Sequence, residues 1–235
     1  MSAQPRHIHP TAPLAPRALI TGDPGRALAL AQVLMDEPKM FNHNRGLWGY
    51  SGVASDGAAL TIMSHGMGGP SAAIVLEELC DLGLERAVRI GSCGALSDSL
   101  KLGELICADP VIGADGTSQT LSDRRLLTPD PQIAALLAGS ADHAGAVISA
   151  DLFYERGSQR VESWKQEGAI AVEMEAAALL AVAQLRSIRL AVLLMVSDGS
   201  AGGGRRLEGE PLEQATKRLG LAGLAALPAN ESAPT

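Results

Sequence analysis

Aromatic side chains are nearly missing from this sequence. Two each of Phe, Tyr and Trp make up 3% of 235 residues, so a core has to be assembled from Ala, Leu, Val and Ile. Cysteine is also scarce: Cys80, Cys93 and Cys107 are an odd number with no CxxC spacing. That argues against a disulfide framework or a zinc site and makes a reducing cytosol the expected compartment. The five histidines are scattered without metal-ligand spacing, and His7 with His9 on an extended arm is too little to hold a metal, so none is expected. No apolar run approaches the roughly 20 residues of a membrane span, and the polar, Pro-rich start is unlike a secretory signal. Positive charge is in deficit as well. A net charge of −7 argues against nucleic acid or an anionic membrane as the main partner. A small anionic substrate stays open, because a local knot of arginines can outweigh the global sign.

What is abundant is glycine, with 26 residues clustered at the ends of apolar runs, where ligand loops lie. A Pro-rich arm is expected over 1–16, one α/β domain over 17–227 and a frayed tail over 228–235. Within the domain a short apolar run, a Gly-rich or polar turn and a helical pattern recur. ALITGDPGRALALAQVL begins it, and LTIMSHGMGGPSAAIVLEELCDLG repeats it with Pro70 and Ser71 as helix-start signals. AVRIGSCGAL and IRLAVLLMVSDGS read as strands running into polar turns. The alternation implies βαβ crossovers and a central, mostly parallel sheet flanked by helices. Residues 50–63 read as a hairpin turning at Asp56-Gly57, which makes the sheet mixed. The weakly periodic stretch 115–148 is expected to be an insertion with one helix, PDPQIAALLAG.

Ligands of such sheets bind at the carboxyl ends of the strands, and charged residues gather there. Gly22-Asp23-Pro24-Gly25-Arg26 opens a helix, offering free N–H groups and a guanidinium to an anion, or else making a plain strand-to-helix turn. Arg89 lies inside an apolar strand, where it needs an anionic partner, either a ligand or a structural carboxylate. Arg45, before the hairpin, reads alone as a surface arginine. Asp198 ends the most apolar strand, as a cap or as a proton donor. Glu173 and Glu175 interrupt the run AVEMEAAALL, residues 171–180. A buried carboxylate is costly unless something donates to it. Each glutamate is therefore a helix-start acid or a group facing a ligand.

Taken together, GDPGR, SHGMGGPSAAIVLEEL, RIGSCGAL, SADLFY, VEMEAA and VSD resemble, in order and approximate spacing, the nucleoside phosphorylase-I family of hexameric purine nucleoside phosphorylases and uridine phosphorylases. The resemblance runs from about His7 to Asp198. It implies phosphate held by Gly22, Arg26, Arg89 and Ser92, with Arg45 lent by a neighbouring subunit. It implies ribose held by Glu175, Met174 and Met67, with His7 or His9 of an adjacent subunit's arm on the 5′-hydroxyl. An ionised Glu175 suits a cis-diol that donates twice. The base would meet Phe153, Cys93, Gly94, Glu173 and Ser197, and Asp198 would protonate purine N7. The uridine branch carries Gly-Gln-Glu-Arg after its FY pair, whereas ERGSQR follows here, so purine is the preferred reading. One departure stands out: Pro211 occupies the place of a helper arginine, and Arg205 or Arg206 of the Gly-rich loop DGSAGGGRR would have to substitute.

The resemblance therefore implies a phosphorolytic transferase that yields free base and ribose 1-phosphate. Inorganic phosphate is its co-substrate, no other cofactor is needed, and the homo-oligomer is at least a dimer, with a hexamer expected. A hydrolase of the same fold, a non-catalytic nucleoside binder and a uridine phosphorylase are the alternatives.

Overall fold

A computed structural model describes residues 5–154, 158–199 and 204–229. Its elements are β1 (Arg17–Thr21), α1 (Pro24–Leu34), β2 (Met35–Asn42), β3 (Gly49–Ala54), β4 (Ala59–Ser64), α2 (Gly69–Asp81), β5 (Arg86–Ala95), β6 (Leu105–Ala114) and α3 (Gly116–Leu121). They continue with β7 (Leu126–Leu127), α4 (Pro131–Ala138), β8 (His143–Ala150), α5 (Ser158–Gln166), β9 (Ala171–Glu173), α6 (Ala176–Arg186), β10 (Arg189–Asp198) and α7 (Gly209–Ala225). One sheet runs β10-β6-β8-β9-β5-β1-β4-β3-β2, with β7 beside β6. The strands β4, β1, β5 and β10 are mutually parallel, and the hairpin β2-β3-β4 is antiparallel. β10 pairs with β5 as well as β6, so β5, β9, β8, β6 and β10 close into a ring. No helix among the described residues is long and apolar enough to cross a membrane.

Helices cover both faces. One apolar cluster packs α2 and α6 on the sheet, and a second packs α1, α4 and α7 on the other side. Ala176 to Ala183 of α6 are all buried, a helix sealed between sheet and neighbours. The backbone donors left over at its start are met from outside: Glu173 accepts from the N–H groups of Glu175 and Ala176. Asp23, followed by Pro24, caps α1 in the same manner.

The hairpin turns at Asp56-Gly57 as the sequence suggests. The expected one-helix insertion over 115–148 is corrected. That stretch holds α3, β7, α4 and most of β8, and β8 is an inner strand between β6 and β9. Its HAGAVISA run gives little apolar signal because small residues interrupt it, and Gly145 packs against the Ile170 side chain. α3 is a six-residue polar helix, held by its Asp115 cap rather than by a hydrophobic face.

Residues 5–16 are pinned to the domain. Ile8 is fully buried, and the N–H groups of Arg6, His7 and Ile8 converge on the Glu78 carboxylate of α2. Burial opposes ionisation of Glu78, yet bonds from the His7 ring and these N–H groups hold its carboxyl below the ordinary range.

Arg17 in β1 is a second anchor, only 1% exposed. It is met by both Asp56 oxygens at 2.6 Å and by the carbonyls of Ala58, Ala59 and Leu227. Removing the anion strands a buried cation, so Asp56→Ala is expected to cost about 3 kcal/mol in denaturant unfolding. The Arg17 bond depresses the Asp56 pKa, so its stabilising contribution is complete above the ordinary carboxylate range and lost as pH falls through the depressed value. The gap between wild type and variant should therefore narrow in acid.

Candidate active site

The carboxyl ends of β1, β4, β5, β9 and β10 open onto one cavity of about 1040 Å³. Its wall carries Gly22, Arg26, Arg45, Met67, Arg89, Ser92, Cys93, Gly94, Phe153, Glu173, Met174, Glu175, Ser197, Asp198 and Arg206. Residues far apart in the chain thus meet because the parallel strands β1, β4, β5 and β10 deliver their ends to the same edge, where the short β9 lies antiparallel beside β5.

Arg89 is the centre of the charged half. It is buried in β5, and its guanidinium folds back over Gly91, where a Cβ would stand 2.9 Å from Nη2. Only glycine leaves that space. Nη2 donates to Glu173 Oε2 at 2.9 Å and to Glu175 Oε2 at 2.5 Å, Nε donates to Glu173 Oε2 at 3.2 Å, and Nη1 donates to His65 Nε2 at 2.7 Å. Burial works against the charge, but the two carboxylates outweigh it and raise the Arg89 pKa.

The two glutamates differ in what remains free. Glu173 takes Arg89, the Ser149 hydroxyl and the N–H groups of Glu175 and Ala176, so its carboxylate is consumed by structure. Glu173, expected to meet the base, is on the wall, and there it caps α6 and holds Arg89. Glu175 accepts from Arg89 and, through Oε1, from the Gly68 N–H at 2.6 Å where α2 begins. Each of its oxygens keeps a lone pair for a further donor. Burial raises its pKa, Arg89 opposes that, and the neighbouring Glu173 charge adds to it.

Arg26 and Arg45 have no carboxylate partner among the described residues. Arg26 reaches only the Thr21 hydroxyl at 3.4 Å. Its pKa is lowered by burial, with the like charge of Arg89 adding to the effect and Asp23 opposing it. Arg45 sits in a 3-10 turn at φ 58°, a left-handed backbone costly for a non-glycine residue. It lines the cavity of its own chain, where the resemblance implied a neighbour's. Arg26 and Arg45 share the wall with the Gly22 turn, Ser92 and Arg89, a set that can receive a compact dianion.

At the other end, Asp198 closes β10 with its side chain 34% exposed. Its Oδ2 accepts from Ser197 Oγ at 2.7 Å, and Arg206 Nε lies 3.7 Å from Oδ1. Residues 205–207 run back beside the strand, with Gly199 N–H bonded to the Arg205 carbonyl and Leu207 N–H to that of Ser197. This pairing turns Arg206 to the cavity. Arg205 is not on the wall. Residues 200–203, the rest of the Gly-rich loop, lie outside the described residues.

Residues 16–227 match the family described as the phosphorylase superfamily. The chain belongs to that superfamily. It is 33% identical over 196 residues to a guanosine phosphorylase of Halorubrum lacusprofundi, covering 80% of each protein. It is 36% identical over 194 residues to a DeoD-type purine nucleoside phosphorylase of Colwellia psychrerythraea, covering 77% of this chain and 80% of that one. Among solved structures, uridine phosphorylase from Vibrio fischeri ES114 superposes with a TM-score of 0.77 at 28% identity over 92% of both chains.

In this phosphorylase-superfamily chain, His7 and His9 stay away from the cavity. His7 Nδ1 is 2.7 Å from Glu78 Oε1, and His9 is tied by its N–H to Asn42. Sequence reading missed Trp164, which packs from α5 with Leu96 and Ile148 and closes the wall near Val161 and Val172. An isolated Trp in the polar segment SQRVESWKQ gave no signal of a pocket. It also missed His65, although the motif SHGMGGPSAAIVLEEL contains it directly after an apolar strand.

Proposed function

We propose that this protein cleaves the N-glycosidic bond of purine nucleosides by phosphorolysis, giving free base and ribose 1-phosphate. The observation that carries the reading is the meeting of Arg26, Arg45 and Arg89 with Glu175 on one cavity that ends at Asp198. Phosphate lies against Gly22, Ser92 and the three arginines, and Met67, Met174 and Glu175 hold the sugar. As the bond to the base stretches, positive character builds on the ribose ring, and the Glu175 charge favours it. Protonated Asp198 donates to N7 and leaves as a carboxylate, which Arg206 at 3.7 Å then balances. Phosphate captures C1′ from its own side. The base lies among Cys93, Gly94, Phe153 and Ser197, with Phe153 and Tyr154 meeting edge to face at 5.0 Å at the mouth. Purine over uracil is supported by Ser197-Asp198 at the base end and by the guanosine and purine nucleoside phosphorylases among the relatives.

The same reading takes inorganic phosphate as sole co-substrate, without metal or organic cofactor, the cytoplasm as compartment, and a homohexamer built from dimers. Assembly is supported by the arm: His7 and His9 are held outside their own chain's cavity, so a 5′-hydroxyl ligand from the arm has to come from a second copy.

Base release from a nucleoside panel, with and without phosphate, tests the reading. Purine nucleosides are expected to be cleaved only with phosphate present, with ribose 1-phosphate formed in equal amount. Release at the same rate in phosphate-free buffer would make the protein a hydrolase, and preference for uridine would overturn the base assignment.

A further inference from the structure

The geometry points to His65 as a positioning residue that sets the plane of the Arg89 guanidinium for the incoming anion; this rests on the phosphate site proposed above. His65 follows β4 and is completely buried. Its N–H donates to the Thr21 carbonyl at 2.8 Å, and its carbonyl accepts from Ser71 Oγ at 2.5 Å. The residue is thus fixed between the end of β1 and the first turn of α2. Its ring lies behind the Gly22 turn, where a Cβ on Gly22 would stand 3.7 Å from Cε1. It therefore backs two parts of the anion site at once.

A guanidinium can only donate, so the Nε2 that meets Arg89 Nη1 must be the lone-pair nitrogen, and the ring proton sits on Nδ1. Nδ1 makes no hydrogen bond of ordinary geometry and has only weak help from the backbone of Gly66 and of His65 itself. Burial, reinforced by the Arg89 charge, keeps the ring from taking a second proton. A buried donor left unmet is a standing cost, so the ring is placed for what Nε2 does.

What Nε2 does follows from counting donors. Of the five N–H groups of Arg89, Glu173 and Glu175 take three and His65 a fourth. The remaining Nη1 hydrogen is the one Arg89 can offer without giving up a partner. Fixing its twin fixes its direction. The acceptor must also be uncharged. Two carboxylates already exceed the charge of Arg89, and a third would repel phosphate from the group meant to bind it. Imidazole holds the plane and adds no negative charge.

Two variants of similar bulk test this. In His65→Leu the acceptor is gone, and the KM for phosphate should rise about tenfold or more while the KM for nucleoside stays within about twofold. In His65→Gln the amide oxygen can reach the place of Nε2, and phosphate KM should return to within about threefold of wild type. An unchanged phosphate KM in His65→Leu, equal losses in both variants, or a parallel rise in both KM values would overturn the inference. A measurement on the unaltered protein decides the matter even if His65→Leu does not fold. In 15N-histidine NMR, His65 should be a neutral Nδ1–H tautomer whose Nε2 resonance moves when inorganic phosphate is added. A protonated Nε2, or no response to phosphate by a protein that phosphate activates, would refute it. A protein that cleaves nucleosides without needing phosphate would instead remove the functional reading itself.

Discussion

Asp198→Ala is expected to lower kcat for purine nucleosides by about 10²–10⁴-fold, the usual worth of a positioned general acid. Phosphate binding should barely change, because Asp198 ends β10, which β5 separates from the β1 end that leads into the Gly22 turn, and it makes none of the Arg89 contacts. The reason for a loss of this size is the leaving group. A purine leaves poorly as an anion, and a proton on N7 turns it into a neutral base. Ser197 Oγ holds one oxygen of Asp198 at 2.7 Å, while the other faces Arg206. A nucleoside already alkylated at N7 carries its positive charge beforehand and needs no proton. Asp198→Ala should cleave it at close to the wild-type rate, and equal losses on both substrates would show that Asp198 shapes the pocket rather than donating.

Much of this site was legible because burial makes charge conspicuous. Arg89 in AVRIG and the glutamates of AVEMEAAALL stood in apolar runs, and each proved to be the other's partner. The Asp56-Gly57 turn was legible because hairpin chemistry is local. The closure of five strands into a ring was not, since it depends on β10 pairing on both edges, a long-range choice without a sequence motif. β8 was hidden because inner strands that pack closely are made of small residues. Glu173 was assigned to the base because chain order cannot tell which of two neighbouring carboxylates will be used up by a helix end. The choice between Arg205 and Arg206 required the backbone pairing across the turn, which sets alternate side chains on opposite sides.

Glu175→Gln is expected to push two affinities in opposite directions. For nucleoside cleavage, kcat/KM should fall about 10²–10³-fold, because the charge that favours a cationic ribose ring is removed from a low-dielectric site. For phosphate, binding should tighten. Glu175 is a counter-ion of Arg89 at 2.5 Å, so its charge competes with any anion that seeks the same guanidinium. Glutamine is of the same shape and its single amide oxygen can still accept from the Gly68 N–H, so the start of α2 stays in place, while its NH2 stands where the carboxylate oxygen accepted from Arg89, which Glu173 still holds. Protonation should act on wild type as the substitution does. Burial raises the Glu175 pKa, so nucleoside kcat/KM should fall on an acid limb above the ordinary carboxylate range, and Glu175→Gln should lack that limb. Calorimetric titration of phosphate into both proteins reads the second arm directly. Weaker phosphate binding in the variant would mean that Glu175 holds Arg89 in place for the anion, and that the carboxylate and the phosphate are allies rather than rivals at this guanidinium.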